Sequence, residues 1–124
     1  MSDQSLAGLR VFIVEDEYML VQDLSMDLVN LGARIVGPAG TLAEAMRLAA
    51  ETAIDVAVLD VNLQGKMVFP VADLLMARSV PFLFATGYDG SIVPGRFHHV
   101  MRCEKPFDLA CITQVLERLP EPEA

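Results

Sequence analysis

Six residues in this chain have types and positions suited to one chemistry. Glu15, Asp16 and Glu17 follow directly on the apolar run RVFIV, Asp60 follows VAVL, Thr86 follows FLFA, and Lys105 stands before a proline. Carboxylates brought close together repel and raise one another's pKa unless a cation sits among them. An oxygen-rich, partly hydrated group of this kind suits Mg²⁺, which takes a few carboxylates together with water and a phosphate. Glu17 reads as an acid favoured by the start of a helix; the doublet Glu15 and Asp16 alone reads equally well that way, and Asp60 at the end of the most buried strand shifts the balance toward a shared site. A carboxylate such as Asp60 needs no general base to act as a nucleophile, and the acyl phosphate it forms is open to later attack by water. The Lys105 ammonium and a divalent cation would neutralise the phosphoryl oxygens during in-line transfer, and the Thr86 hydroxyl would bond one of them.

These residues meet only if the elements between them fold in one particular way. Five short apolar runs read as strands: 10–14, 34–37, 54–60, 81–86 and 99–103. Between them the apolar spacing is helical. Leu20, Val21, Leu24, Leu28 and Leu31 share one face of a helix over 18–31, with Gly32 where a C-terminal glycine belongs. Thr41 with Glu44 opens a second helix reaching about Glu51, Pro70 stands near the start of a third, and a last helix begins near Asp108. The segment 87–99 contains Gly90, Pro94 and Gly95, so a short or irregular fourth helix is expected there.

Strands alternating with helices imply right-handed crossovers and a parallel sheet covered on both faces, a doubly wound α/β domain. Ligands of such sheets bind beyond the carboxyl ends of the strands, where Glu15, Asp16, Asp60, Thr86 and Lys105 all fall.

The whole chain narrows the classes. With 124 residues it suits one domain, and its formal charge of −8 argues against nucleic acid as a partner. No apolar stretch approaches a membrane span, and the N-terminus carries no secretory signal pattern, so a cytoplasmic location with no membrane partner is expected. Cys103 and Cys111 lie outside any metal or redox spacing and read as free, buried thiols. His98 and His99 read as strand-edge surface residues, and the loop LQGKM (63–67) lacks the pattern of a nucleotide cradle.

At these residues the chain closely resembles the receiver domain of two-component response regulators along essentially its whole length. The resemblance implies a five-stranded sheet in the order 2-1-3-4-5 and a phosphoryl group passed from a phosphohistidine on a histidine kinase or phosphotransfer protein. It implies Asp60 as phosphoacceptor and Mg²⁺ held by Glu15, Asp16, Asp60 and the backbone carbonyl of Asn62. Thr86 takes the place of the switch hydroxyl and Lys105 that of the family lysine, with a cis bond to Pro106. Where receivers usually carry a switching aromatic ring, three residues before the lysine, this chain has Arg102. The run PFLFATGY resembles a subgroup signature, Phe-Ala-Thr-Gly and a following Tyr, found in alphaproteobacteria and linked to general stress phosphorelays. Its members also lack the aromatic ring, so Thr86, Gly87, Tyr88 and Arg102 become the switch candidates.

The expectation is a single-domain receiver, core about 8–119 and no output domain. It signals through a partner protein bound near strand four, the irregular segment, strand five and the last helix. It is not an enzyme beyond Mg-dependent self-phosphorylation and slow loss of the phosphate. A pseudo-receiver used for binding without phosphorylation is the alternative, disfavoured by the intact site. A phosphatase of the aspartate-nucleophile type needs a second acid where Asn62 stands. A flavodoxin-like phosphate site is opposed by the acidic EDEYM loop.

Overall fold

The computed structural model describes residues 5–87, 93–105 and 109–119. The strands are β1 (Arg10–Val14), β2 (Arg34–Ala39), β3 (Val56–Asp60), β4 (Asn62–Leu63), β5 (Lys66–Met67), β6 (Phe82–Thr86) and β7 (Arg102–Glu104), and the helices are α1 (Tyr18–Asn30), α2 (Leu42–Glu51), α3 (Phe69–Ala77) and α4 (Leu109–Arg118). The main sheet is parallel, in the order β2-β1-β3-β6-β7. Counting its strands alone, this is the expected 2-1-3-4-5, the receiver arrangement.

The sheet divides two apolar layers. Phe12, Leu59 and Phe84 lie with Ala45 and Ala49 of α2 and Val71, Ala72 and Leu75 of α3. Ile13, Val58 and Leu83 lie with Leu24 and Leu28 of α1 and Ile112 and Leu116 of α4. Both faces of β3 and β6 are therefore buried, which is why these strands read as unbroken apolar runs.

The helices begin and end for local reasons. Thr41 accepts a hydrogen bond from the Glu44 N–H at 3.2 Å and caps α2. At the end of α1, Gly32 takes φ +97°, the Gly32 N–H donates to the Val29 carbonyl and the Ala33 N–H to Leu28. This is the Schellman closure that a glycine permits.

Three sequence expectations change. The fifth strand starts at Arg102 rather than 99, because residues 98–101 form turns whose apolar Val100 and Met101 imitate a strand. His98 and His99 are exposed there, on turns and not on a strand. The loop 63–67 belongs to a hairpin: Gln64 and Gly65 both take positive φ, as tight hairpin turns favour, and Asn62 Oδ1 accepts from the Gly65 N–H at 2.7 Å. Third, Cys103 and Cys111 are not free but joined in a disulfide, their Cα atoms 6.1 Å apart. Linear spacing hid this, since β7 and α4 fold back on one another between the two residues.

The irregular segment contains a 3-10 turn at Gly95–Phe97. Phe97 is fully buried and meets Phe69, Phe82 and Phe84 at ring-centre distances of 5.6 to 6.2 Å. Arg96 beside it forms a two-pronged pair with Asp73 of α3. Tyr88 and the Lys105-Pro106 bond lie outside the described residues.

Candidate functional site

Parallel strands deliver their C-terminal residues to one rim. β1 ends at Val14 and turns immediately into Glu15 and Asp16, with the Glu15 N–H held by the Ala39 carbonyl of β2 at 3.0 Å. Asp60 ends β3 and pairs in register with Ala85, so Thr86 stands one residue beyond it on β6. The Lys105 N–H donates to the Thr86 carbonyl at 2.7 Å, which fixes the residue after β7 to the same rim.

Glu15, Asp16 and Asp60 each offer a carboxylate oxygen, all within 4.8 Å of one another. The Lys105 Nζ lies 3.0 Å from Glu15 Oε1 and 3.4 Å from Asp60 Oδ1. Its hydrogen bond goes to Glu15 Oε2 at 3.3 Å, whereas Oε1, though nearer, lies at an angle that makes no hydrogen bond. The Asn62 N–H approaches Asp60 Oδ1 at 3.4 Å, and the Glu17 N–H donates to Glu15 Oε2 at 3.1 Å.

Glu15, Asp60 and Thr86 are the buried polar residues among those described. Burial raises the Glu15 carboxyl to about 7; the Asp60 charge adds to this and Lys105 opposes it. Asp60 is also raised, by burial first and by Asp16, against the pull of Lys105 and the Asn62 N–H. For Lys105 burial works downward but is outweighed by Glu15 and Asp60, so its ammonium holds its proton more firmly than usual. One ammonium thus contacts two, Glu15 and Asp60, of the three clustered carboxylates. That donor set, hard oxygens with a deficit of positive charge, fits a divalent cation such as Mg²⁺.

Of the remaining candidates, Glu17, Asn62 and Gly87 lie around this rim, whereas Arg102 opens β7 in register with Phe84, back from the rim. Glu17 is exposed at the start of α1, as expected. Asn62 opens the hairpin beyond Asp60, Gly87 is exposed with open space where a side chain would begin, and Arg102 is exposed on β7. Sequence reasoning missed the sharing of Lys105 between two acids. Only the side-chain reach across β1, β3 and β7 reveals it.

No protein-family model matches the chain. SdrG from Sphingomonas melonis Fr1 is 37% identical with a TM-score of 0.76, the match covering 90% of this chain and 96% of that one. The BeF3-activated conformation of SdrG from Pseudomonas melonis Fr1 is 36% identical with a TM-score of 0.75, covering 98% and 100%. Among curated proteins, the phyllosphere-induced regulator PhyR of Methylorubrum extorquens is 30% identical over 112 residues, 87% of this chain; the match spans 42% of PhyR's length. The chain belongs to the response regulator receiver domains of the SdrG and PhyR type of alphaproteobacteria.

Proposed function

We propose that the protein is the phosphoacceptor of a two-component phosphorelay, taking a phosphoryl group on Asp60 from a phosphohistidine of a histidine kinase or phosphotransfer protein. The observation that carries this reading is the Lys105 ammonium set between Glu15 and Asp60 beside Asp16 at the sheet rim. Lys105 and the Asn62 N–H both approach Asp60 Oδ1, so Oδ2 is the oxygen we take as the attacking atom. It attacks phosphorus in line with the leaving imidazole; the N–P bond breaks as the O–P bond forms.

Glu15, Asp16 and Asp60, with the Asn62 backbone carbonyl, would hold Mg²⁺. When bound, it supplies positive charge that stabilises the phosphoryl oxygens as they leave histidine. Lys105 follows the transferred group from the other side, and Thr86, buried at the rim, closes on it through its hydroxyl. Gly87, Tyr88 and Arg102 then carry the change toward a downstream protein on the face made by β6, the 3-10 turn, β7 and α4. We extend the reading to general stress signalling on the strength of the PFLFATGY run. The relation to SdrG, a protein with a described BeF3-activated conformation, supports phosphoryl-type activation here.

Intact mass after acetyl phosphate or a phosphohistidine donor, with Mg²⁺, tests the proposal. The expected result is one phosphoryl adduct on the native chain and none on Asp60→Asn. Absence of an adduct from both donors would instead favour a binding module that works without phosphorylation.

A further inference from the structure

We propose that the Cys103–Cys111 pair is a reversible oxidation site that governs the freedom of Lys105, an inference that rests on the phosphoacceptor reading of Asp60. Three observations meet here. Lys105 lies inside the stretch that the bond closes, two residues beyond Cys103 and within a sequence separation of 8. Cys103 is the register partner of Ala85, itself the partner of Asp60, so the anchored end of that stretch is tied laterally to the site. The pair also joins β7 to the first turn of α4, two elements of the proposed signalling face.

The two sulfurs have unequal access, as a redox pair requires. Cys103 is buried in the layer of Ala85, Ile112 and Leu116, whereas Cys111 is only partly buried. The Cα separation of 6.1 Å lies within the range a disulfide spans. The Cys111 sulfur lies 3.9 Å from the Arg102 carbonyl oxygen, a weak acceptor at hand for its thiol once the bond is reduced.

A peroxide is the oxidant class that fits. The Cys111 thiolate attacks one peroxide oxygen, the O–O bond breaks, and a sulfenic acid and hydroxide result. The Cys103 thiolate then attacks the Cys111 sulfur, forms the S–S bond and expels the second hydroxide. The sulfurs give up two electrons, the peroxide gains them, and the two thiol protons leave as water. A dithiol reverses the change by exchange. With the bond closed, the backbone around Lys105 resists the shift its ammonium needs to leave Glu15 and follow the phosphoryl group, so oxidation slows phosphorylation.

The full-length chain is reduced with dithiothreitol, or reduced and then treated with hydrogen peroxide. Thiols are counted by alkylation and intact mass, and phosphoryl uptake from acetyl phosphate with Mg²⁺ is timed for each form. Two alkylated thiols in the reduced chain, none after peroxide, recovery with dithiol, and several-fold slower uptake by the oxidised monomer are expected. Cys111→Ser, at the more accessible position, should lose the dependence on peroxide while still accepting phosphate. Thiols that stay reactive after peroxide, or equal or faster uptake by the oxidised chain, would overturn the proposal while leaving Asp60 in place. Failure of both forms to take up phosphate, from acetyl phosphate and from a phosphohistidine donor alike, would sink the Asp60 reading, and the coupling with it.

Discussion

Glu15 shows how a single buried acid couples charge, stability and cation binding. Its carboxyl titrates at about 7 in the folded chain rather than at 4.5, chiefly because burial disfavours the ion. The folded chain therefore binds this proton more tightly than the unfolded chain does. Stability from this group is full below the ordinary carboxylate range and is lost as pH rises through 7. At about 1.4 kcal/mol per pH unit, the loss is about 3 kcal/mol. Asp60, also raised, acts with the same sign, while Lys105, raised as well, loses its contribution only in the alkaline range above both. Urea midpoints measured in EDTA should fall between pH 5 and pH 8, and Glu15→Gln should flatten most of that fall. Mg²⁺ should raise the native midpoint more at pH 8 than at pH 5, since only the ionised acids bind it. An undiminished slope in Glu15→Gln would place the titrating proton elsewhere.

The 3-10 turn before β7 is small, yet Phe97 ties it to the core. The ring stacks on Phe69 and meets Phe82 and Phe84 edge-on. Phe97→Ala should cost about 3–5 kcal/mol, the usual loss for a fully buried ring. His98→Ala, next door and exposed, should change the urea midpoint little; equal losses would contradict the anchoring role. Most elements were legible in the sequence because their patterns are long or doubly buried: α1 through its leucine spacing, β3 and β6 through unbroken apolar runs, α2 through Thr41. The β4-β5 hairpin was not, since two-residue strands leave no periodic trace and Gln64-Gly65 is a weaker turn signal than Asn-Gly. The start of β7 was misplaced because Val100 is apolar for packing in a turn. In the site, the acids and Lys105 were legible as residues that follow strands. The partnership of Lys105 with Glu15, and of Cys103 with Cys111, depends on distances that no spacing rule encodes.

At the scale of the whole molecule, the sheet separates two apolar layers that meet only through its strands, and the acidic rim lies where both layers end. Among the described residues no helix is long and apolar enough to cross a membrane. The sheet's two outer strands deserve comparison, for an open sheet always has two flanks where backbone groups lack a neighbour. β7 is only three residues long and sets exposed Arg102 and Glu104 on either side of buried Cys103. β2 carries exposed Arg34, a register shift opposite Phe12 to Val14, and Pro38, which has no N–H to offer. Short length, charge, a bulge and a proline are the devices by which natural sheets refuse to recruit strands from other molecules. Replacing Arg102 and Glu104 together with valine should produce early-eluting species on size exclusion at high concentration, and an unchanged profile would show that the charges play no such part. The brevity of β7 thus guards against self-association into fibrous aggregates, a hazard that a longer final strand would bring to the very flank that positions Lys105.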